Sequence, residues 1–432
     1  MGKISFVATG DSFITRRLPT LDSATFKDLS RLINKGYISF TNLETTTHYN
    51  EGYPSAFSGG TWAMSSPEVL NDMKAYGFNL LAWANNHTMD YSYGGLVATK
   101  HYLNEYGFVH AGVGENLAEA SAPKYIETSS GRVALISATA TFHESWRAGD
   151  QRPDMHGRPG VNPLRYETTF IVSHQELEQL KEIAKNTMIN AERNLSIKEG
   201  FDAEDKADSF VFGGDHFKEG SKAEKVTTPL HADMKRIIDS IKGAKKQADY
   251  VLVSIHSHEM EGEDKSAPAQ FLIEAARNFV DAGADSVIGH GPHVLRGIEV
   301  YKGKPIFYSL GNFIFQNDTV SALPADFYEK YNLNHHANVA DALDKRSENG
   351  KKGLGVNKNV WESVIVNWEM ENGKLKEIKL MPIQLGYGLS RYQRGCPVLS
   401  KEEEILKRLQ RLSKPFGTKI NIKDGVGSID VE

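Results

Sequence analysis

Apolar residues in this chain gather into short unbroken runs, and several of these runs close on a titratable or amide side chain. Ile4–Thr9 ends in Gly10-Asp11, and Tyr37–Thr41 in Asn42-Leu43-Glu44. Phe78–Ala84 ends in Asn85-Asn86-His87 with Asp90 nearby. Further on, Tyr250–Ile255 ends in His256-Ser257-His258-Glu259, and Asp285–Ile288 in Gly289-His290-Gly291-Pro292-His293. Runs without polar alternation read as strands buried on both faces. Between the last two, Ala269 to Gly283 places Phe271, Leu272, Ala275, Ala276, Phe279 and Val280 at helical spacing, and Gly283 suits a helix end. Pro67 to Gly77 and Gly95 to Gly107 also read as helices, and Arg132 to Ala138 as another strand. The alternation predicts an α/β layered fold. Parallel strands joined by right-handed crossovers point the same way, so their polar ends should collect along one sheet edge.

Two stretches break the pattern. Residues 174–245 are charged and mostly helical, with Leu177, Leu180, Ile183 and Ala184 on one stripe and Gly213-Gly214-Asp215-His216 as a polar loop. Residues 316–359 carry Asn334-His335-His336 and Gly350-Lys351-Lys352-Gly353. Both read as insertions at strand ends, where long loops are commonly functional. The expected organisation is one domain over residues 1–385 with these insertions, then a C-terminal extension over 386–432.

The strand ends combine carboxylates, a neutral amide oxygen and imidazoles. That donor set suits Mn²⁺, Fe²⁺ or Zn²⁺ better than Ca²⁺, which prefers oxygen alone. Asp90 reads as orienting His87 or capping the next helix, and Gly311-Asn312 as a tight turn. On the substrate side, Arg147, Arg158 and Arg165 lie in a Gly- and Pro-rich segment that leaves the strand Arg132–Ala138, and Arg16 follows Asp11 closely. Guanidinium forks fit carboxylate or phosphate, so these four are candidate clamps for an anionic substrate.

Composition narrows the class further. The 432 residues hold 50 Lys and Arg against 55 Asp and Glu, a net charge of −5 that gives no reason to expect nucleic-acid binding. The one cysteine, Cys396, excludes an intrachain disulfide and a cysteine-based zinc site. No apolar run reaches the ~18 residues of a bilayer span, and no basic-then-apolar signal segment opens the chain. A cytoplasmic protein without a membrane span is expected, its oligomeric state undetermined.

The motif order Gly10-Asp11, Asn42-Leu43-Glu44, Asn85-Asn86-His87-x-x-Asp90, His256, Gly289-His290-x-Pro292-His293-Val294 and Tyr308-Ser309-Leu310-Gly311-Asn312-Phe313 resembles the CapA family of poly-γ-glutamate capsule proteins. That family is similar in turn to calcineurin-like metallophosphoesterases. The likeness runs from Lys3 to Phe315 and resumes from Trp361 to Pro382. It implies a four-layer αββα sandwich and a site holding one or two divalent ions. Carried over by position, it implies Asp11 on the first metal, Glu44 as the bridging carboxylate and Asn86 on the second metal. It further implies His256 and His290 on one ion, His293 on the other, and His87 meeting a substrate oxyanion or leaving group. Departures are visible. Asp11-Ser12-Phe13 lacks the histidine of the phosphoesterase Asp-x-His. His258 is a candidate replacement, since residues two apart on an extended strand share a face. The implied function is a metal-dependent hydrolase using an activated water on a phosphoester, or on a γ-glutamyl or other amide bond. The alternative is an accessory protein of poly-γ-glutamate synthesis that binds anionic polymer or an assembly partner.

Overall fold

The computed structural model describes residues 2–18, 23–204 and 208–430. Its centre is a pair of sheets lying face to face. In the larger, ten-stranded sheet the main path runs Asn421–Lys423, Val426–Ile429, Lys374–Gln384, Glu362–Glu371, Lys3–Phe13, Ile38–Leu43, Leu80–Ala82, Val109–Ala111, with Val398–Leu399 added beside Lys374–Gln384 and Asn312–Phe315 beside Lys3–Phe13. The six-stranded sheet runs Ile298–Tyr301, Lys304–Phe307, Ser286–His290, Tyr250–His256, Gly131–Thr139, Lys124–Thr128. Ile4, Phe6, Ile38, Phe40 and Leu80 of the first interleave with Val133, Leu135, Tyr250, Leu252 and Ile288 of the second. That inner layer explains the unbroken apolar runs, because each strand is covered on both faces.

Helices close the outer faces. Ala24–Ile33, Val69–Tyr76 and Ser92–Glu105 bury Leu29, Ile33, Leu70, Met73 and Leu96 against Val7, Leu81 and Trp83. On the far side, His231–Lys245 and Gln270–Asp281 bury Ile237, Ile241, Phe271, Ala275 and Phe279 against Val251, Val253 and Val287. The expected four-layer αββα sandwich is therefore observed. The helix read from Ala269 to Gly283 spans Gln270–Asp281, and its apolar stripe is the buried one.

Strands Tyr250–His256 and Ser286–His290 pair in parallel with His256 opposite His290, so the crossover brings the two imidazoles side by side. The first strand runs further than its apolar stretch. Lys3–Phe13 pairs with Ile38–Leu43, shifts register between Ala8 and Asp11, and then also pairs with Asn312–Phe315. Gly10 permits the switch: a Cβ there would stand 1.8 Å from the carbonyl oxygen of Gly311. The strand thus crosses the Gly311 turn at backbone contact and delivers Asp11, whose amide donates to that same carbonyl at 2.9 Å.

Within the stretch read as the first insertion, Phe210–Phe212, Asp215–Glu219 and Glu224–Pro229 form a small sheet with Tyr166–Val172, and Gly213-Gly214 turns one of its hairpins. Helix His231–Lys245, at the end of that stretch, packs in the outer layer of the sandwich. Residues 316–359 carry the helices Ala325–Lys330 and Val339–Ser347, which pack on Trp62 and Tyr91 through Phe327 and Leu343, while Leu354 beyond them packs in the cluster of Trp361. Among the described residues no helix is long and apolar enough to cross a membrane.

Candidate metal centre

The polar ends of both sheets meet at one edge of the sandwich, where the larger sheet supplies Asp11, Glu44, Asn86 and His87. The smaller supplies His256, His258, His290 and His293. Asp11, Glu44, His256 and His290 are essentially closed to solvent, and Asn86 and His293 nearly so. Three groups bring their ligand atoms within 4.8 Å of one another: Asp11 with His256 and His290, Glu44 with His256 and His258, and Asp11 with Glu44 and His293.

His256 stands at the centre. Its Nδ1 lies 3.0 Å from Nδ1 of His290 and 3.8 Å from Oδ1 of Asp11. Its Nε2 lies 3.2 Å from Nε2 of His258 and 3.7 Å from Oε1 of Glu44. Ser254 Oγ sits 2.7 Å from Nε2 of His290, which leaves that ring's Nδ1 facing Asp11 at 3.4 Å. Nδ1 of His293 lies 3.9 Å from one oxygen of each carboxylate and 2.9 Å from Oδ1 of Asn312. His293 holds a left-handed backbone, φ 62°, a conformation found in non-glycine residues mainly where surroundings impose it.

His258 reaches the cluster by a route other than the expected one. The strand ends at His256, so His258 lies in the following turn and the two-residue periodicity does not apply. Its amide donates to Thr141 Oγ1 at 2.8 Å, and its ring approaches the Glu44 side of His256 rather than the Asp11 side. The turn is held by Arg296, a fully buried guanidinium donating to the carbonyls of Ser257, His258, Glu259 and Lys265. Burial brings the pKa of Arg296 down to about 10. Sequence reasoning passed over this residue, since a lone Arg two positions past Val294 carries no motif.

Electrostatics and unpaired atoms both fit a cation here. Both carboxylate oxygens of Glu44 and Oδ1 of Asn86 are buried without a hydrogen-bond partner. Burial, reinforced by the anions of Asp11 and Asp90, pushes the Glu44 carboxyl well above its usual range. Burial favours the neutral imidazole at His256 and His258, with the neighbouring histidines adding to the effect. Asp11 is opposed by burial too, but His290, His293 and the Asn42 amide outweigh it and hold its carboxyl low. Unsatisfied buried oxygens and neutral imidazoles are what a divalent ion needs, and leaving them empty costs desolvation. The mixed N and O set suits Mn²⁺, Fe²⁺ or Zn²⁺.

His87 and Asp90 form a pair beside this cluster. Nδ1 of His87 lies 2.7 Å from Oδ2 of Asp90, which also accepts the Ala63 amide at 2.7 Å. Phe13 meets the His87 ring edge-on at 5.0 Å. Gly59 backs the whole group, since its amide donates to Asp90 and its carbonyl accepts from Asn86.

A cleft of about 410 Å³ opens over His87 and His293. None of the four arginines expected to clamp substrate lines it. Arg16 donates to the Tyr392 carbonyl, Arg147 pairs with Glu144, Arg158 donates to the Arg147 carbonyl, and Arg165 forms a two-pronged bond with Asp233. Nearer carboxylates and carbonyls hold these side chains. The cleft instead takes Lys330, Arg346, Lys352, Arg391 and Arg394, from segments whose sequence shows little periodicity.

Residues 5–317 match the family described as bacterial capsule synthesis protein PGA_cap. "Uncharacterized protein y4sH" of Sinorhizobium fredii is 37% identical over 98% of this chain and 92% of its own length. The "Capsule biosynthesis protein CapA" of Bacillus anthracis is 29% identical over 57% of this chain and 43% of that protein. A crystal structure of a hypothetical protein from Thermus thermophilus covers 88% of this chain and 99% of its own, at 11% identity and a TM-score of 0.39. On the family match and its CapA relatives, the chain belongs to the bacterial capsule synthesis protein PGA_cap family, within the metallophosphoesterase-like superfamily.

Proposed function

We propose that this protein is a metal-dependent hydrolase acting on an anionic substrate, a phosphoester or a γ-glutamyl or other amide bond. One observation carries the reading: the buried, unpartnered carboxylate of Glu44 stands with Asp11, His256, His258, His290 and His293 where the edges of the two sheets meet. Asp11, His256 and His290 would hold one cation, and Glu44, Asn86 and His293, with His258 alongside, would hold a second. Such ions supply Lewis acidity and lower the pKa of water toward ~7.

The chain's own groups then divide the remaining tasks. Asp90 fixes the orientation of His87 through Nδ1, so that Nε2 is the atom free to give or receive a proton at the substrate. Phe13, Phe315 and Trp361, all buried, form an apolar floor beneath the cleft and limit water there. Basic side chains at the mouth attract the negative charge of the substrate.

A second reading makes the protein an accessory factor that holds anionic polymer, as the name "Probable polyglutamine synthesis accessory protein" of a Mycobacterium tuberculosis relative suggests for that protein. The basic cleft mouth favours it. Elemental analysis of the purified chain, followed by a screen of phosphoesters and γ-glutamyl peptides with added Mn²⁺, separates the two. Bound metal with turnover of either class supports the hydrolase. Bound metal with tight polymer binding and no turnover of any substrate supports the accessory factor.

A further inference from the structure

Besides His87 and His293, the cleft carries a concentration of charged side chains. Five basic side chains line it against one carboxylate, Asp318. Most of this charge is already matched: Arg391 pairs with Asp344, Arg394 with Asp318, and Lys352 with Glu348. Lys330 and Arg346 remain, neither in salt-bridge contact with a carboxylate among the described residues, and of the two Arg346 is the one held by hydrogen bonds. Its Nη1 donates to Thr61 Oγ1 at 2.6 Å and to the Gly60 carbonyl at 3.3 Å, and its guanidinium lies 5.5 Å from the centre of the Phe327 ring.

These contacts fix the plane of the fork through one arm. Nε and Nη2 bond no described protein group, and neither is sealed off as a buried orphan. Gly60 and Thr61 directly follow Gly59, the residue that holds Asn86 and Asp90. Arg346 is therefore tied to the same loop that backs His87. A half-buried guanidinium with a fixed plane and open donors is set up to receive a carboxylate or phosphate side-on.

We propose that Arg346 docks a second anionic group of the substrate, a carboxylate or phosphate carried a few bonds from the group that meets the metal centre. The site then selects molecules that are anionic at two places. The assignment rests on the metal-centre reading for the first of those places only. Phe13, Phe315 and Trp361 line the same cleft and offer an uncharged spacer an apolar surface.

Calorimetric titration of the full-length, metal-loaded chain tests this with two non-hydrolysable probes. One is a three-carbon alkyl phosphonate. The other carries a phosphonate at each end of the same chain. The wild-type protein is expected to bind the double-ended probe about tenfold more tightly or better. Arg346→Gln should bind the two alike, and Arg346→Lys, which keeps the charge without the fork, should recover part of the difference. Metal content and circular dichroism are followed for each variant. If Arg346→Gln does not fold, Arg346→Lys carries the test, and a several-fold loss of preference is expected. Equal binding of both probes by the wild type, or an undiminished preference in the variants, overturns the role of Arg346. The metal reading survives that result if the single-ended probe binds. Conversely, if only the double-ended probe binds and Arg346→Gln abolishes it, Arg346 stands and the metal reading falls. Absence of binding by either probe overturns both.

Discussion

Glu44 gives the proposed metal centre its sharpest test at a single residue, because a buried carboxylate is unfavourable without a cation and favourable beside one. Its carboxylate is closed to solvent, lacks any hydrogen-bond donor, and feels the charges of Asp11 and Asp90. Neutralising it should therefore help the metal-free protein and harm the metal-loaded one. Glu44→Gln is expected to raise the melting temperature in excess chelator and to lower it in excess Mn²⁺, relative to wild type. Turnover of any substrate found in the screen should fall about a hundredfold or more. Melting curves that shift in the same direction under both conditions would show that Glu44 does not face a cation.

Among the elements, the first strand carries the sharpest geometric demand. Gly10 passes so close to Gly311 that a methyl group would strike backbone, which cannot rotate away. Gly10→Ala should cost about 3 kcal/mol of stability by overpacking and should displace Asp11, so metal affinity falls together with the urea midpoint. A variant with normal metal content and unchanged midpoint would refute the crossing. The same strand marks how far the sequence could be read. Apolar runs without alternation located the paired strands, and six apolar positions located helix Gln270–Asp281, because burial on a fixed period leaves a trace in the residues themselves. The crossover rule placed His256 beside His290 within one sheet, but Asp11, Glu44 and Asn86 come from the other sheet, and only the family resemblance pointed to the meeting of the two edges. His258 does join the cluster, but not by strand periodicity, because the strand stops at His256 and the following loop has no period. Arg346, Arg391 and Arg394 went unnoticed while Arg16, Arg147, Arg158 and Arg165 drew attention. Which arginine is already paired depends on contacts between residues far apart in the chain, such as Arg165 with Asp233.

At the scale of the whole molecule, the boundary expected at residue 385 falls inside a continuous structure. Asn421–Lys423 and Val426–Ile429 extend the larger sheet beyond Lys374–Gln384, and helix Glu403–Ser413 buries Ile405, Leu406 and Leu409 in the inner core. Each of those side chains contributes about 1.5–3 kcal/mol, and their removal would also expose the edge of a long strand. A chain ending at residue 385 is expected to aggregate or to lose cooperative unfolding, as judged by circular dichroism and size-exclusion chromatography. A soluble truncated form with a sharp melting transition would show that the last segment is an appendage.

The division of the proposed metal ligands between the two sheets has a consequence for cohesion. Asp11, Glu44 and Asn86 lie at or just beyond strand ends of one sheet, and His256, His290 and His293 at or just beyond those of the other. Any ion they share is a rivet through the open end of the sandwich, joining layers that elsewhere meet mainly through apolar side chains. Ion occupancy then becomes a determinant of how firmly the layers stay closed, worth about 4 kcal/mol when free metal exceeds its Kd a thousandfold. Chelation should lower the melting temperature, and amide exchange should accelerate first at Asn42, His256 and His290, on both sides of the seam, while the far ends of the same strands remain protected.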